Sequence, residues 1–361
     1  MNTFKHVAVD QNNPPNPHCK IAGDIDGDGY ADLLAASATD GGLFWYHYPT
    51  WRKYKIADGS FTTDMKVVDL DGDGHIDVII PTKDQLLCYQ NPKTQGGDPK
   101  TDPWRSIQIG NVGAHDIRIC DIDNNGTLDL VTRQQSGFRH LLGNCIRIWR
   151  QKSIAQWEHQ FFPCPHGEGL QVADIDGDGF IDVLIGGRWY RNPGNRHGTW
   201  TEHLFMSDQH FNTHWANGDV VVEIGDLNGD GRPEIVLSPS EGKGILAWYE
   251  APEDPTQKWI EHIIEPELDH AHGMAIGDLN NDGQLDLVVA KMHQASAPQT
   301  VTVYYNQNHG QSWEKQIVSE TGSHNISLID IGQTGRLSIF GANWNNKAPT
   351  GGAIELWINE R

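Results

Sequence analysis

The chain alternates short apolar runs with Gly-, Pro- and Asn-rich breaks. Around residue 180 the runs LQVADI, FIDVLIG, RWYRN and TWTEHLF follow one another, and around residue 235 VVVEIGDL, EIVLS, ILAWYE and KWIEHII repeat the order. Short runs bounded by turn residues predict β-strands. No stretch reads as a long amphipathic helix.

Between the first and second run of each group lies a nine-residue loop, D-x-D/N-x-D/N-G-x-x-D/E. Six copies are present, with first acids at Asp24, Asp69, Asp121, Asp174, Asp226 and Asp278, and a degenerate seventh begins at Asp330. A near-constant period of this size signals a repeat architecture. Four strands repeated seven times predict an all-β fold, a seven-bladed β-propeller. The first residues, TFKHVAV, look like the fourth runs WTEHLF and WIEHII, and the last, AIELWINER, look like the third run GILAWYE. The N-terminal strand should therefore complete the last blade, leaving 1–361 as a single domain.

Charge sharpens this picture. The chain holds 48 Asp+Glu against 27 Lys+Arg, a net charge of -21, and 21 of those acids sit in the six loops. The rest of the chain is balanced. The candidate ligands are Asp24, Asp26, Asp28 and Asp32; Asp69, Asp71, Asp73 and Asp77; Asp121, Asp123, Asn125 and Asp129. They continue with Asp174, Asp176, Asp178 and Asp182; Asp226, Asn228, Asp230 and Glu234; Asp278, Asn280, Asp282 and Asp286. Oxygen ligands at positions 1, 3, 5 and 9, with Gly at 6, suit a hard cation, so about six structural Ca²⁺ sites are expected. The seventh loop, Asp330-Gly332-Thr334-Ser338, has lost the set and should hold none.

The net acidity excludes a nucleic-acid backbone as partner. No run of about 18 apolar residues exists, so no membrane span is expected. Five scattered Cys and an N-terminus without a signal pattern predict a cytoplasmic location, or a periplasmic or secreted one if a leader was removed.

The loops, with the W-Y-x-N-P and W-x-x-H strand signatures, resemble the FG-GAP/VCBS repeats of integrin-α-type propellers. The resemblance covers essentially the whole chain and implies the propeller and its Ca²⁺ sites, not an activity. The chain is also similar to the propeller part of the aldos-2-ulose dehydratases, sugar-dehydrating enzymes that carry additional cupin domains. That likeness reaches at most the propeller half-reaction.

Since the acidic loops join strands 1 and 2, the entries to strand 1 and the exits from strand 2 share the opposite face. Six residues before each first acid stand His18, Thr63, His115, Glu168, Val220, His272 and His324. His166, His214 and His270 lie in the same entry segments, and Arg133, Arg188, Lys291 and His293 close the second strands. Imidazoles crowded at one pore mouth suit acid–base work near neutral pH, or a transition metal held by the His270-Ala-His272 pair with His324 or His214. Lys66, Arg118 and Glu223 are expected to line the channel beneath, either as mutually compensating charges or to offset an anionic group. Trp215, Trp344 and Tyr190 are candidate platforms for a sugar face. His6, His159, His203 and His262 recur in the fourth run and read as structural.

Two functions fit. One is a carbohydrate-active lyase or dehydratase acting by β-elimination on a small sugar or polysaccharide. The other is a non-enzymatic, Ca-dependent module that binds a glycan or protein. The oligomeric state is not legible.

Overall fold

The computed structural model describes residues 2–12, 14–135, 143–215, 218–344 and 350–360. Seven four-stranded antiparallel sheets form, each in simple up-and-down order except the last. Blade 1 comprises Pro17–Gly23, Asp32–Ser37, Leu43–His47 and Arg52–Ala57. In the last blade the N-terminal strand Phe4–Asp10 pairs with the C-terminal strand Ile354–Asn359, with Phe4 opposite Asn359. That exchange closes the ring as the terminal sequence patterns predict. First strands of neighbouring blades touch in an unbroken circuit around the axis.

Seven apolar clusters fill the seven interfaces between blades. Between blades 1 and 2, Leu34 and Trp45 pack against Val78 and Tyr89. Truncating a buried Trp of this kind to Ala costs ~3–5 kcal/mol. The fourth-strand His residues lie on third-strand indoles: His262 stacks on Trp248 at 4.0 Å, His203 on Trp189 at 4.6 Å, and His159 meets Trp149 at 5.0 Å. His6 covers Trp357 in the same way at 5.9 Å.

The Asn of the W-Y-x-N-P signature stitches blades together. Asn192 Nδ2 donates to Ile122 O in the preceding blade's loop (2.8 Å) and to Ile181 O in its own (2.9 Å). Asn91 and Asn306 repeat the pattern, reaching Ile25 O and Leu227 O. One departure from the expected all-strand chain is a short helix, α1 (Asp208–His214), between blades 4 and 5. Ser207 caps it, its hydroxyl accepting from His210 N at 3.2 Å.

Candidate functional site

The acidic face and the mouth are built on different principles. In all six loops the first Asp folds the turn: its two oxygens accept from the backbone N–H groups of positions 5 and 6, as in Asp24 with Asp28 N (3.0 Å) and Gly29 N (2.9 Å). Asp330 does the same with Thr334 N (2.7 Å) and Gly335 N (2.8 Å). One carboxylate therefore suffices to make the turn. Position 9 ties the loop to the sheet, Asp182 accepting from Ile175 N (3.1 Å) and Asn192 N (2.7 Å).

Of the remaining oxygens, several are held by side chains, Asp26 by Lys100 and His47, Asp123 by Arg196, Asp176 and Asp178 by Arg191, and Asp71 by Gln90 Nε2. Asp26 Oδ1, Asp123 Oδ1, Asp77 Oδ2 and Asp129 Oδ2 are buried with no hydrogen-bond partner among the described residues. Burial pushes the position-9 carboxyls up, Asp32, Asp77, Asp182 and Glu234 to about 7 and Asp129 and Asp286 to about 6. Oxygens of Asp24, Asp26 and Asp32, and of Asp69, Asp71 and Asp73, lie within 4.8 Å of one another. Hard, convergent and only partly paired, this donor set fits a divalent cation such as Ca²⁺.

On the opposite face, the residues six before each first acid converge. His18, Thr63, His115, Glu168, His272 and His324 line a cavity of about 450 Å³, with His293 and Trp344 also in its wall. Glu168 contacts both His115 and His272 in its wall. Gly167 (φ 129°) and Gly169 (φ 87°) bring its strand entry against blade 5, where a Cβ on Gly167 would meet Gly218 O at 2.1 Å. The Arg133 guanidinium donates to Glu168 O (2.5 Å) and Gly169 O (2.7 Å), and Ser240 Oγ donates to Glu168 Oε1 (2.5 Å).

Glu168 Oε2 meets His115 Nε2 at 2.7 Å and lies 3.6 Å from His272 Nε2. His115 Nδ1 is 3.2 Å from Asp116, and His272 Nδ1 bonds His324 O at 2.9 Å. The bond to a carbonyl makes that Nδ1 the donor, so His272 Nε2 faces Glu168 and, at 3.8 Å, Glu241. Burial opposes charge on His115, but Asp116 and Glu168 outweigh it and push the imidazole up to about 10. Burial likewise opposes the Glu168 anion, yet His115 and His272 hold its carboxyl well below the usual carboxylate range. His272 is raised because Glu168 and Glu241 outweigh its burial.

His18 and His324 behave oppositely. Burial, then neighbouring positive groups, holds both well below the ordinary imidazole value, so they stay neutral. Their Nδ1 atoms are buried without a hydrogen-bond partner among the described residues. His324 packs 4.1 Å from His272 and 4.4 Å from His18, and Trp344 stacks on His293 at 5.0 Å. Imidazoles shifted up and imidazoles shifted down thus share one mouth.

Several sequence-based candidates lie elsewhere. Arg133 is buried and spent on backbone carbonyls, so it positions Glu168 instead of meeting a ligand. Arg188 pairs with Glu202 (2.6 Å) and Asp208 beside a second cavity, which His166 also reaches from the exposed rim of the mouth. His270 takes a left-handed backbone (φ 47°) and bonds Asp269, so the expected extended His270-Ala-His272 pair does not form. His214 is in α1, 4.0 Å from Glu261. Lys291 contributes its backbone, bonding Thr300 O and Ser323 N. Trp215 is 1% exposed, its Nε1 donating to Ile245 O, and Tyr190 is buried with its hydroxyl on Glu202 (3.1 Å). Neither is a platform.

Beneath the mouth the channel charges compensate one another: Lys66 meets Asp64 at 2.6 Å, and Arg118 reaches Asp64 (3.1 Å) and Gln171 (2.8 Å). Gln171 in turn donates to Glu223 at 2.9 Å. Lys20, Asp219, Ser240 and Glu241 escaped sequence reasoning. Lys20 is buried, its Nζ bonding Pro17 O and His18 O, and burial pushes it down to about 7. The signal for Glu241 was available: it exits the second strand of its blade, as His293 exits that of the next.

Comparisons with known proteins agree with this architecture. Integrin alpha-PS2 of Drosophila melanogaster is 27% identical over 124 residues, which is 28% of this chain and 9% of that protein. An Agrocybe aegerita lectin described as recognising non-reducing terminal N-acetylglucosamine superposes with a TM-score of 0.51 at 15% identity, over 89% of this chain and 81% of that one. Rhamnogalacturonan lyase YesW gives a TM-score of 0.52 at 12% identity, covering 99% and 72%. The V. cholerae biofilm matrix protein Bap1 gives 0.55 at 10%, covering 100% and 92%. At such identities these likenesses speak for the fold alone. The FG-GAP-like repeat model matches residues 24–80, 69–132, 174–237, 226–289 and 278–341, each spanning two acidic loops or a loop and its degenerate copy. By those repeats, the chain belongs to the FG-GAP-like repeat family.

Proposed function

We propose that the His-rich mouth is the active site of a carbohydrate-active lyase or dehydratase working by β-elimination, on a ring braced by Ca²⁺ in the six acidic loops. The observation that carries this reading is the convergence of His18, His115, His272 and His324 with Glu168 in one cavity. Elimination needs a base, an acid and a positive charge against the developing enolate. The His324 imidazole takes the proton α to a carbonyl or carboxylate. The electron pair forms the C=C bond as the β C–O bond breaks, and the His115 imidazolium protonates the departing oxygen. The positive field of the His115 and His272 imidazoles opposes the developing enolate charge, and Trp344 offers its ring to the apolar face of the sugar.

Glu168, Glu241 and His272 also place ligand atoms within 4.8 Å of one another. A divalent transition metal held there would supply the same positive charge. The likeness to a rhamnogalacturonan lyase supports uronic polysaccharides as a first substrate class. The likeness to a lectin favours the second reading, a glycan-binding mouth without chemistry.

A panel of oxidised sugars and uronic polysaccharides tests the proposal by the ultraviolet absorbance of the conjugated product. The lyase reading expects absorbance to grow with wild type. Tight glycan binding with no absorbance across the panel would establish the lectin-like reading.

A further inference from the structure

Helix α1 carries a cluster that neither the mouth nor the acidic loops use. We propose that His210, His214 and Glu261 form a three-ligand site for a divalent transition metal of the zinc class on the flank of blade 5.

His210 and His214 are one helical turn apart, so both imidazoles project from the same face. Phe211 is buried in the core shared by blades 4 and 5, and Trp215 anchors the helix end through Ile245 O. The rotation of the helix is therefore fixed, and the two imidazoles are held toward the outer strand Ile260–Asp269. His210 Nε2 lies 2.7 Å from Glu261 Oε1 and His214 Nε2 lies 4.0 Å from it. The rings stand 4.5 Å apart at 80°, and the three ligand atoms fall within 4.8 Å of one another.

With bonds of ~2.0–2.2 Å, tetrahedral donors sit ~3.3–3.6 Å apart. The observed separations straddle that value, so modest side-chain rotations let an ion enter. Tyr249 donates to Glu261 Oε1 at 2.6 Å, the kind of outer bond that orients a ligating carboxylate. The His210–Glu261 contact alone would pin the helix; a metal also accounts for His214, poised at the same oxygen but beyond hydrogen-bond range. Side-chain exposures of 39% for His210 and 24% for His214 and Glu261 leave a path from solvent and a fourth position for water. Two imidazoles and one carboxylate select zinc-like ions over Ca²⁺ and Mg²⁺. Since α1 also supplies Asp208, Phe211 and Asn212 to the second cavity, a bound ion would fix that wall.

The test titrates zinc into the full chain, stripped with chelator and returned to excess Ca²⁺, by calorimetry. His214→Ala and Glu261→Gln should weaken one zinc site at least about tenfold, whereas Glu168→Gln keeps it. Zinc should raise the melting midpoint of wild type and not that of His214→Ala. His214→Gln serves in its place if the alanine variant fails to fold by circular dichroism. Wild-type zinc affinity in both flank variants, loss of the site only in Glu168→Gln, or no zinc on wild type would each overturn the proposal.

Discussion

The two faces of the ring use carboxylates and imidazoles in opposite ways. On the acidic face the same chemistry recurs at every period, and six loops share one geometry. At the mouth, equivalent positions carry different residues, His in blades 1, 3, 6 and 7, Thr in blade 2 and Glu in blade 4, and it is their mixture that makes the site. The seventh loop shows what repetition is for. Asp330 is the one carboxylate of its loop, and Thr334 Oγ1 accepts from Arg336 N and Ser338 Oγ from Asn359 N where the other loops use acids, so negative charge at positions 3, 5 and 9 is surplus to folding the backbone. Conserving a feature from blade to blade serves the ring, and breaking it at one level of the axis creates, on the proposed reading, a place for chemistry.

The contrast can be broken most forcefully by removing calcium. At calcium a hundredfold above its Kd, each filled loop contributes ~2.7 kcal/mol. Chelation should therefore lower the calorimetric midpoint by far more than any mouth substitution, and an unchanged midpoint would sink the calcium assignment. Next in size, His324→Gln, assayed well below its own melting midpoint, should slow elimination by roughly 10²–10⁴-fold. Equal rates for the two proteins would remove His324 from the role of base.

A pH series sharpens the electrostatic side. The His115 value rises from 6.5 to about 10 on folding, so its charge stabilises the fold fully below 6.5 and ceases to do so as pH rises through about 10. The midpoint difference between wild type and His115→Gln should shrink across that window; a constant difference would mean the imidazolium is not what Glu168 and Asp116 hold. The smallest effect belongs to Asp330→Ala, which removes hydrogen bonds to an exposed turn worth ~1 kcal/mol. Its calcium content, measured by atomic emission, should equal that of wild type, whereas Asp226→Ala should lose one ion.

The fold was legible because each blade repeats its own evidence: apolar alternation, the acidic loop and the Trp–His stack all return at one period. The mouth was half legible. Counting back from each first acid locates His18, His115, Glu168, His272 and His324, since the repeat transfers one blade's geometry to the next. What sequence could not supply was side-chain direction. Trp215 looked exposed in a connecting segment but folds inward at the end of α1, and Arg133 reads as a free cation until its carbonyl partners are seen. His270 failed for a backbone reason, because a left-handed residue destroys the two-residue alternation on which the paired reading rested.

The most direct measurement is the elimination rate of Glu168→Gln beside that of Asp226→Asn, each assayed well below its own melting midpoint. The account predicts that Glu168→Gln loses at least about a hundredfold in rate, while Asp226→Asn keeps its rate and loses only calcium and thermal stability. A loop variant that loses the rate at full folding, or a Glu168→Gln enzyme as fast as wild type, would contradict the assignment of chemistry to the mouth.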